Sequence, residues 1–318
     1  MNRIEQAYEL ASRQQTNAAV ALLEEGGRAG DADSWVELAS WYLGGTIVRR
    51  DLAKSRECFR LAGEAGHERA RSIYIALLAN GTGGSANWRD ALGLLADREA
   101  SDQDSARELD LIRMMQLDEN GHPRGISPPE RLSDAPEVLL FRALLTADEC
   151  QYLIERAAPS FQSSVVVDPA SGQFRPHPVR TSENMSFPWI DETPAIHAIN
   201  QRLGAASGTA VANGEPLQIL RYAPGQEYRP HHDALPHTDN QRILTMLVYL
   251  NDAYEGGETM FLKTGLAVKG AIGDALLFRN ADRQGRPDPD ARHAGLPVRS
   301  GEKLIASRWI HEKRFGPL

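Results

Sequence analysis

YRPHHD, residues Tyr228 to Asp233, is the stretch on which the reading of this chain turns. Along an extended strand side chains alternate between faces, so His231 and Asp233 project from the same side and bring one imidazole and one carboxylate to a single cation. His232 points the other way. Making it a ligand requires a one-residue slip that turns every neighbour over, so it is read as a supporting or surface residue. His237 follows Leu235 and Pro236, a pair that ends a strand, and is set aside. A third ligand comes from far downstream, where the segment HAGLPVRSGEK opens on His293 and closes on Lys303.

Two histidines and a carboxylate on one side of an ion leave coordination positions open, the ligand set of non-haem Fe(II) oxygenases. Zinc binds such a set too but has no redox chemistry. The Lys303 ammonium suits the distal carboxylate of a keto acid whose other end chelates the iron. Taken singly, each histidine is better explained as a hydrogen-bonded core residue. The combination with Asp233 and Lys303 reverses that weighting.

These residues and the motifs around them resemble the prolyl 4-hydroxylase branch of the 2-oxoglutarate and Fe(II)-dependent dioxygenases. The likeness runs from about Glu137 to Phe315, through ADEC at 147–150, VRTS at 179–182, LQILRYAPGQEYRPHHD, QRILTMLVYLND, GGET, GDALLF, HAGLPVRSGEK and the closing Trp309-Ile310. The resemblance implies His231, Asp233 and His293 as catalytic metal ligands, Fe(II) as the metal, 2-oxoglutarate and O2 as co-substrates, and ascorbate to rescue oxidised iron. It further implies that Lys303 pairs with the distal carboxylate of 2-oxoglutarate while Tyr222 and Thr259 supply hydroxyl donors to it. Substrate-facing positions fall at Tyr228, Arg242, Trp309 and His311, with the loop bearing Arg180 closing over bound peptide. On the residues alone, Tyr222 is equally a core tyrosine, Arg242 a strand-end charge, Trp309 a core aromatic and Tyr228 a wall residue. The sequence departs from the family at Leu304, where Trp is frequent, and at Leu296, where Cys is frequent. Both departures loosen assignment to a subfamily and leave the iron chemistry untouched.

The segment 137–318 reads as the catalytic domain. VLLFRALL leads into a helix over roughly Ala147 to Ala157, and strand-like runs then dominate: SSVVV, PLQILRY, ILTMLVYL, ALLF and LIASRWI, spaced by Gly, Pro, Asn and Asp turns. Many short strands around a metal predict a double-stranded β-helix, the jelly-roll architecture. Alternation puts Lys303, Ile305, Ser307, Trp309 and His311 on one face of the last strand, which is placed inward. Substrate choice is assigned to loops such as 160–178.

Residues 1–118 carry an internal period of 36, which aligns Gly30 with Gly66, Gly45 with Gly81, Ala19 with Ser55 and Ala91, and Leu23 with Phe59 and Leu95. Such periods mark pairs of helices whose apolar faces are covered only by stacked neighbours, so the fold class is an α-solenoid followed by the β domain. GDADSWVELASWYLGG and RRDLAKSRECFRLAGEAG resemble Sel1-like repeats, relatives of the tetratricopeptide repeat. The solenoid is read as a recruiting surface for a protein or peptide, or else as an assembly platform. Residues 119–136 lack periodicity and hold four prolines and two glycines, which marks a linker.

Composition sets outer limits. With 318 residues, 42% hydrophobic and 25% charged, the chain has room for about two globular domains. Its longest nearly pure apolar run, Ile73 to Ala79, is far too short for a membrane span. A net charge of -8 gives no global attraction to nucleic acid. Two cysteines, Cys58 and Cys150, in separate helices argue against a disulfide framework and for a cytoplasmic setting; the charged N-terminus is unlike a signal peptide. The expected function is an oxygenase that hydroxylates an unactivated C–H bond, a prolyl residue of a protein or peptide. The alternatives are a hydroxylase of a free amino acid or metabolite, and a non-catalytic adaptor with a decayed barrel.

Overall fold

The computed structural model describes residues 2–167, 174–176, 179–282 and 284–316. They form two compact units: Met1–His122 with Pro188–Ala198, and Pro123–Phe187 with Ile199–Leu318.

In the first unit the 36-residue period is visible in the backbone. Helices Thr16–Arg28, Leu52–Glu64 and Trp88–Ala96 start at that interval, as do Ala32–Gly44 and Glu68–Asn80; Arg3–Ser12 precedes them and Gln103–Met114 follows. Gly30 and Gly66 both turn at φ near +95, and Gly45 and Gly81 end their helices at φ 74 and 77, conformations that a Cβ would strain. Asn2, Asp51, Asn87 and Asp102 cap helix N-termini by accepting from backbone N–H groups. Close helix approach depends on small residues. Ala19, Ala39, Ala62 and Ala70 are fully buried, and a Cβ on Gly27 would sit 2.2 Å from the Trp35 ring. The core between the helices is Trp35, Leu38, Trp41, Phe59 and Leu77.

Residues 188–198 belong to this helical unit although they lie within the segment read as catalytic. The Trp189 carbonyl accepts from Asn80 Nδ2 at 2.9 Å, the Ala195 N–H donates to Glu108 Oε1 at 2.8 Å, Asp191 pairs with Arg69, and Ile190 packs on the helical core. FPWIDETP has no period to betray that attachment, and the helix that follows it, Pro194–Ser207, was not expected either.

The second unit is a double-stranded β-helix. Its larger sheet runs in the order Glu130–Asp134, Glu137–Phe141, Ala275–Arg279, Arg242–Tyr249, Lys303–His311, Leu217–Tyr222, Glu183–Phe187 and Gln162–Ser163, and the smaller in the order Leu266–Val268, Thr259–Phe261, His293–Gly295 and Tyr228–His231. Every pairing is antiparallel. Glu130–Asp134, inside the stretch read as a linker, is an edge strand, so the irregular connection ends sooner than its prolines suggested. The helix Ala147–Ala157 falls where the sequence placed it, with Thr146 and Glu149 forming a capping box. Val165–Val167 pairs with Phe174–Pro176; the rest of the 160–178 loop includes 168–173 and 177–178, outside the described residues.

Alternating inward residues of the two sheets interlock. Leu220, Leu247, Tyr249, Leu276, Phe278 and Ile305 from the larger sheet meet Phe261 and Val268 from the smaller. Phe261, fully buried, stands edge-on to Phe278 with ring centroids 5.2 Å apart and lies 5.9 Å from the His293 ring. Phe261→Ala is expected to cost about 3–5 kcal/mol of stability, read as a fall in the denaturant midpoint at unchanged slope; a change below about 1 kcal/mol would show that these rings do not couple the sheets.

Candidate metal centre

Tyr228–His231 and His293–Gly295 are neighbours in the small sheet, and the register sets His293 directly across from His231. Asp233 follows two residues beyond His231, just past the strand end. As a result His231 Nε2 lies 3.5 Å from Asp233 Oδ1 and His293 Nε2 lies 3.7 Å from Asp233 Oδ2. One ligand atom from each of the three residues falls within 4.8 Å of the others. His232 and His237 are exposed and take no part.

Both imidazoles are oriented in the same way. His231 Nδ1 lies 2.8 Å from the Arg229 carbonyl and His293 Nδ1 lies 3.0 Å from the Ala291 carbonyl, each oxygen two residues upstream of its ring. A carbonyl accepts only, so Nδ1 carries the proton and the Nε2 lone pair is left for a metal. Burial lowers the His293 pKa to about 4 despite the opposing charge of Asp233, so the ring is neutral at pH 7 and able to ligate. Burial acts to raise the Asp233 pKa, but the adjacent His231 and His293 and the Thr245 hydroxyl that donates to it outweigh burial and hold the group ionised, well below the usual carboxylate range. The donor set thus fits a divalent transition ion without rearrangement of protonation states.

The three groups open onto a pocket with about 400 Å³ of empty space, also lined by Tyr222, Thr259 and Lys303. Lys303 and Tyr222 are cross-strand partners. The ammonium donates to the Gly257 carbonyl at 2.6 Å and lies 5.5 Å from the Tyr222 ring centre. Among the described residues it has no ion-pair partner. Burial lowers its pKa to about 8, with Glu258 acting weakly in the other direction. Gly257, at φ 69, matters here because a Cβ would press within 3.1 Å of the Lys303 stem.

Strand alternation carries Lys303, Ile305, Ser307 and Trp309 to the pocket as expected, but His311 does not follow. The register with Arg242–Tyr249 shifts between Ile310 and His311, and the His311 ring instead meets Glu215 and the Asn240 carbonyl, each at 2.8 Å. Arg242 grips the same Glu215 through Nε at 2.5 Å and Nη2 at 3.1 Å, and its guanidinium lies 4.1 Å from the Trp309 ring centre. Of the five positions read as substrate-facing, Tyr228 and Trp309 line the pocket; Arg242, His311 and Arg180 do not. Arg180 donates to Ser164 and Gln218 and lies 5.7 Å from the Tyr228 ring. Tyr228 stacks on His231 with ring centroids 3.5 Å apart. Sequence reasoning missed Glu215 and Thr245. For Thr245 a signal existed: it shares the inward parity of its strand with Ile243, Leu247 and Tyr249 and is the small polar residue among them.

A sequence model of the 2OG-Fe(II) oxygenase superfamily matches residues 217–311, which span His231, Asp233, His293 and Lys303. Prolyl 4-hydroxylase 1 of Arabidopsis thaliana is 39% identical over 204 residues, covering 58% of this chain and 72% of that protein. The chain belongs to the prolyl 4-hydroxylase family. Probable prolyl 4-hydroxylase 6 of the same plant is 37% identical over 211 residues, covering 58% of this chain and 73% of its own length. Among solved structures, a viral collagen prolyl hydroxylase from Paramecium Bursaria Chlorella virus-1 in complex with 2OG is 31% identical, with a TM-score of 0.46 over 57% of this chain and 98% of that one. Fe(II), 2-oxoglutarate and O2 are the reactants of this superfamily.

The centre is expected to bind one Mn(II) or Fe(II) per chain. Removing any of His231, Asp233 or His293 as alanine should weaken binding by at least about 100-fold, read by calorimetry; wild-type affinity in any one of the three would remove that residue from the centre.

Proposed function

We propose that the protein is an Fe(II)- and 2-oxoglutarate-dependent dioxygenase that hydroxylates a prolyl residue of a protein or peptide. The observation that carries this reading is a pocket lined both by three metal-ligating side chains and by the Lys303 ammonium, which among the described residues has no ion-pair partner. When bound there, Fe(II) with 2-oxoglutarate and O2 supplies the oxidative decarboxylation that yields succinate and CO2 and inserts the second oxygen atom into an unactivated C–H bond.

The chain's own residues bind, orient and exclude. His231, Asp233 and His293 hold the metal from one side. Lys303 receives the distal carboxylate of the keto acid, with the Tyr222 and Thr259 hydroxyls as further donors; a charge-assisted contact of this kind, in a site walled by Leu220, Leu247 and Ile305, is far stronger than one in water. Tyr228 and Trp309 form the rim against which a prolyl ring packs. Arg242 and His311, both held by Glu215, present polar groups beyond Trp309, and Arg180 lies beside Tyr228 on the loop that covers bound peptide. Ascorbate is proposed as the reductant that restores oxidised iron.

The helical unit, read as Sel1-like repeats, is proposed to recruit the protein substrate, a role favoured by its stacked helical pairs. A cytoplasmic setting is favoured by Cys58 and Cys150, both buried free thiols whose pKa values burial pushes up to about 12, so neither is poised for oxidation.

Two outcomes test the function. Proline-containing peptides are expected to drive stoichiometric release of succinate and to gain one oxygen by mass spectrometry, whereas turnover confined to free proline or another small metabolite would replace the peptide substrate with a small one. The Lys303 ammonium carries a second test. Because its pKa is lowered to about 8, the cation is present below that pH and lost above it, so KM for 2-oxoglutarate should rise through pH 8, by about tenfold at pH 9. Lys303→Met should raise KM about 10- to 100-fold already at pH 7 while Mn(II) affinity stays near wild type. A KM independent of both pH and Lys303 would assign the carboxylate to another group.

A further inference from the structure

We propose that Thr245 and Asn280 act as a positioning relay that fixes the Asp233 carboxylate so that one oxygen alone is offered to the metal. The inference rests on the metal-site reading above and assigns a role to two residues outside the ligand set. Thr245 Oγ1 donates to Asp233 Oδ2 at 2.6 Å, and Asn280 Nδ2 donates to Thr245 Oγ1 at 2.7 Å. All three side chains are buried.

The direction of the chain is forced. An amide N–H only donates and an ionised carboxylate only accepts, so with the amide on its lone pair the threonine hydroxyl must point its proton at Asp233. Both oxygens face an imidazole, Oδ1 at 3.5 Å from His231 Nε2 and Oδ2 at 3.7 Å from His293 Nε2, but the hydroxyl proton engages Oδ2 and leaves the Oδ1 lone pairs free of it. The consequence is chemical. A keto acid needs two positions on the ion and O2 a third, and a carboxylate that chelates through both oxygens would occupy one of them.

Among the described residues the Asn280 side chain hydrogen-bonds to Thr245 alone. Leu276 and Phe278 face the inter-sheet core, and Asn280 takes the next inward position past the strand end. Its main chain donates to the Ile243 carbonyl at 2.9 Å and accepts from the Asp288 N–H at 2.8 Å, tying the strand that carries Thr245 to the segment that leads into His293. Its own Oδ1 is buried and, among the described residues, without a hydrogen-bond partner. An orphaned buried acceptor is unfavourable, and its retention points to the N–H side of the amide as the part that matters.

The test is Mn(II) binding to the full chain, followed by electron paramagnetic resonance of the unbound ion, alongside the ratio of succinate to hydroxylated peptide. Thr245→Val should weaken Mn(II) about 10- to 100-fold and raise succinate release that is not matched by hydroxylation. Thr245→Ser, which keeps the hydroxyl, should restore both within about twofold, and Asn280→Ala should fall between. Because Asn280 acts through Thr245, the double variant should bind no more weakly than Thr245→Val alone. Wild-type affinity and coupling in Thr245→Val, or independent multiplication of the two effects in the double variant, would overturn the relay. Should Thr245→Val fail to fold by circular dichroism, Asn280→Ala decides, and unchanged Mn(II) affinity there overturns it. A wild-type chain that binds Mn(II) no better than His231→Ala would instead sink the metal centre itself, a different failure.

Discussion

Two short hydrogen bonds, from His231 to the Arg229 carbonyl and from His293 to the Ala291 carbonyl, are the interactions on which the chemistry of this protein depends. Each fixes a tautomer and aims a lone pair. Without them an imidazole on a strand could rotate or present the wrong nitrogen, and the convergence on Asp233 would be lost. The small sheet supplies the rest of the geometry, since pairing of His231 with His293 puts residues far apart in sequence directly opposite one another. The larger sheet closes the other side through Phe278, whose ring lies 4.6 Å from that of His293. Sheet packing therefore determines ligand placement, and core residues such as Phe261 bear on the centre without touching an ion.

A second constraint is charge. Burying the Lys303 ammonium is unfavourable, and the pKa that burial lowers expresses that penalty. The Gly257 carbonyl offsets part of it, and at φ 69 a Cβ on that residue would be strained and would press on the Lys303 stem. An anionic co-substrate would complete the compensation. Glu215 shows the opposite solution: Arg242 and His311 converge on it, its carboxyl is held below the usual range against its burial by hydrogen bonds from His311 and Arg242, and its charge is locally satisfied.

The sequence made the ligand triad legible because H-x-D on a strand is a geometric statement and because the long strands alternate clearly. Leu217–Tyr222, Arg242–Tyr249, Ala275–Arg279 and Lys303–His311 all fall on runs read as strands. The three-residue strands of the small sheet did not stand out, since Thr259–Phe261 and His293–Gly295 are too short to display a period. His311 was misplaced by alternation because a bulge is a local backbone event with no compositional mark. The attachment of residues 188–198 to the helical unit was hidden for a related reason: it relies on backbone groups of Trp189 and Ala195, which pattern reading does not weigh. In the helical unit the 36-residue period was legible because glycines must occupy the left-handed turns wherever the motif repeats.

Anomalous scattering from a crystal grown with Mn(II) tests the central claim most directly. One peak per chain is expected, bonded by His231 Nε2, His293 Nε2 and a single oxygen of Asp233. A peak bonded by other residues, or those three side chains turned away from any common point, would contradict the metal centre and with it the oxygenase chemistry built on it.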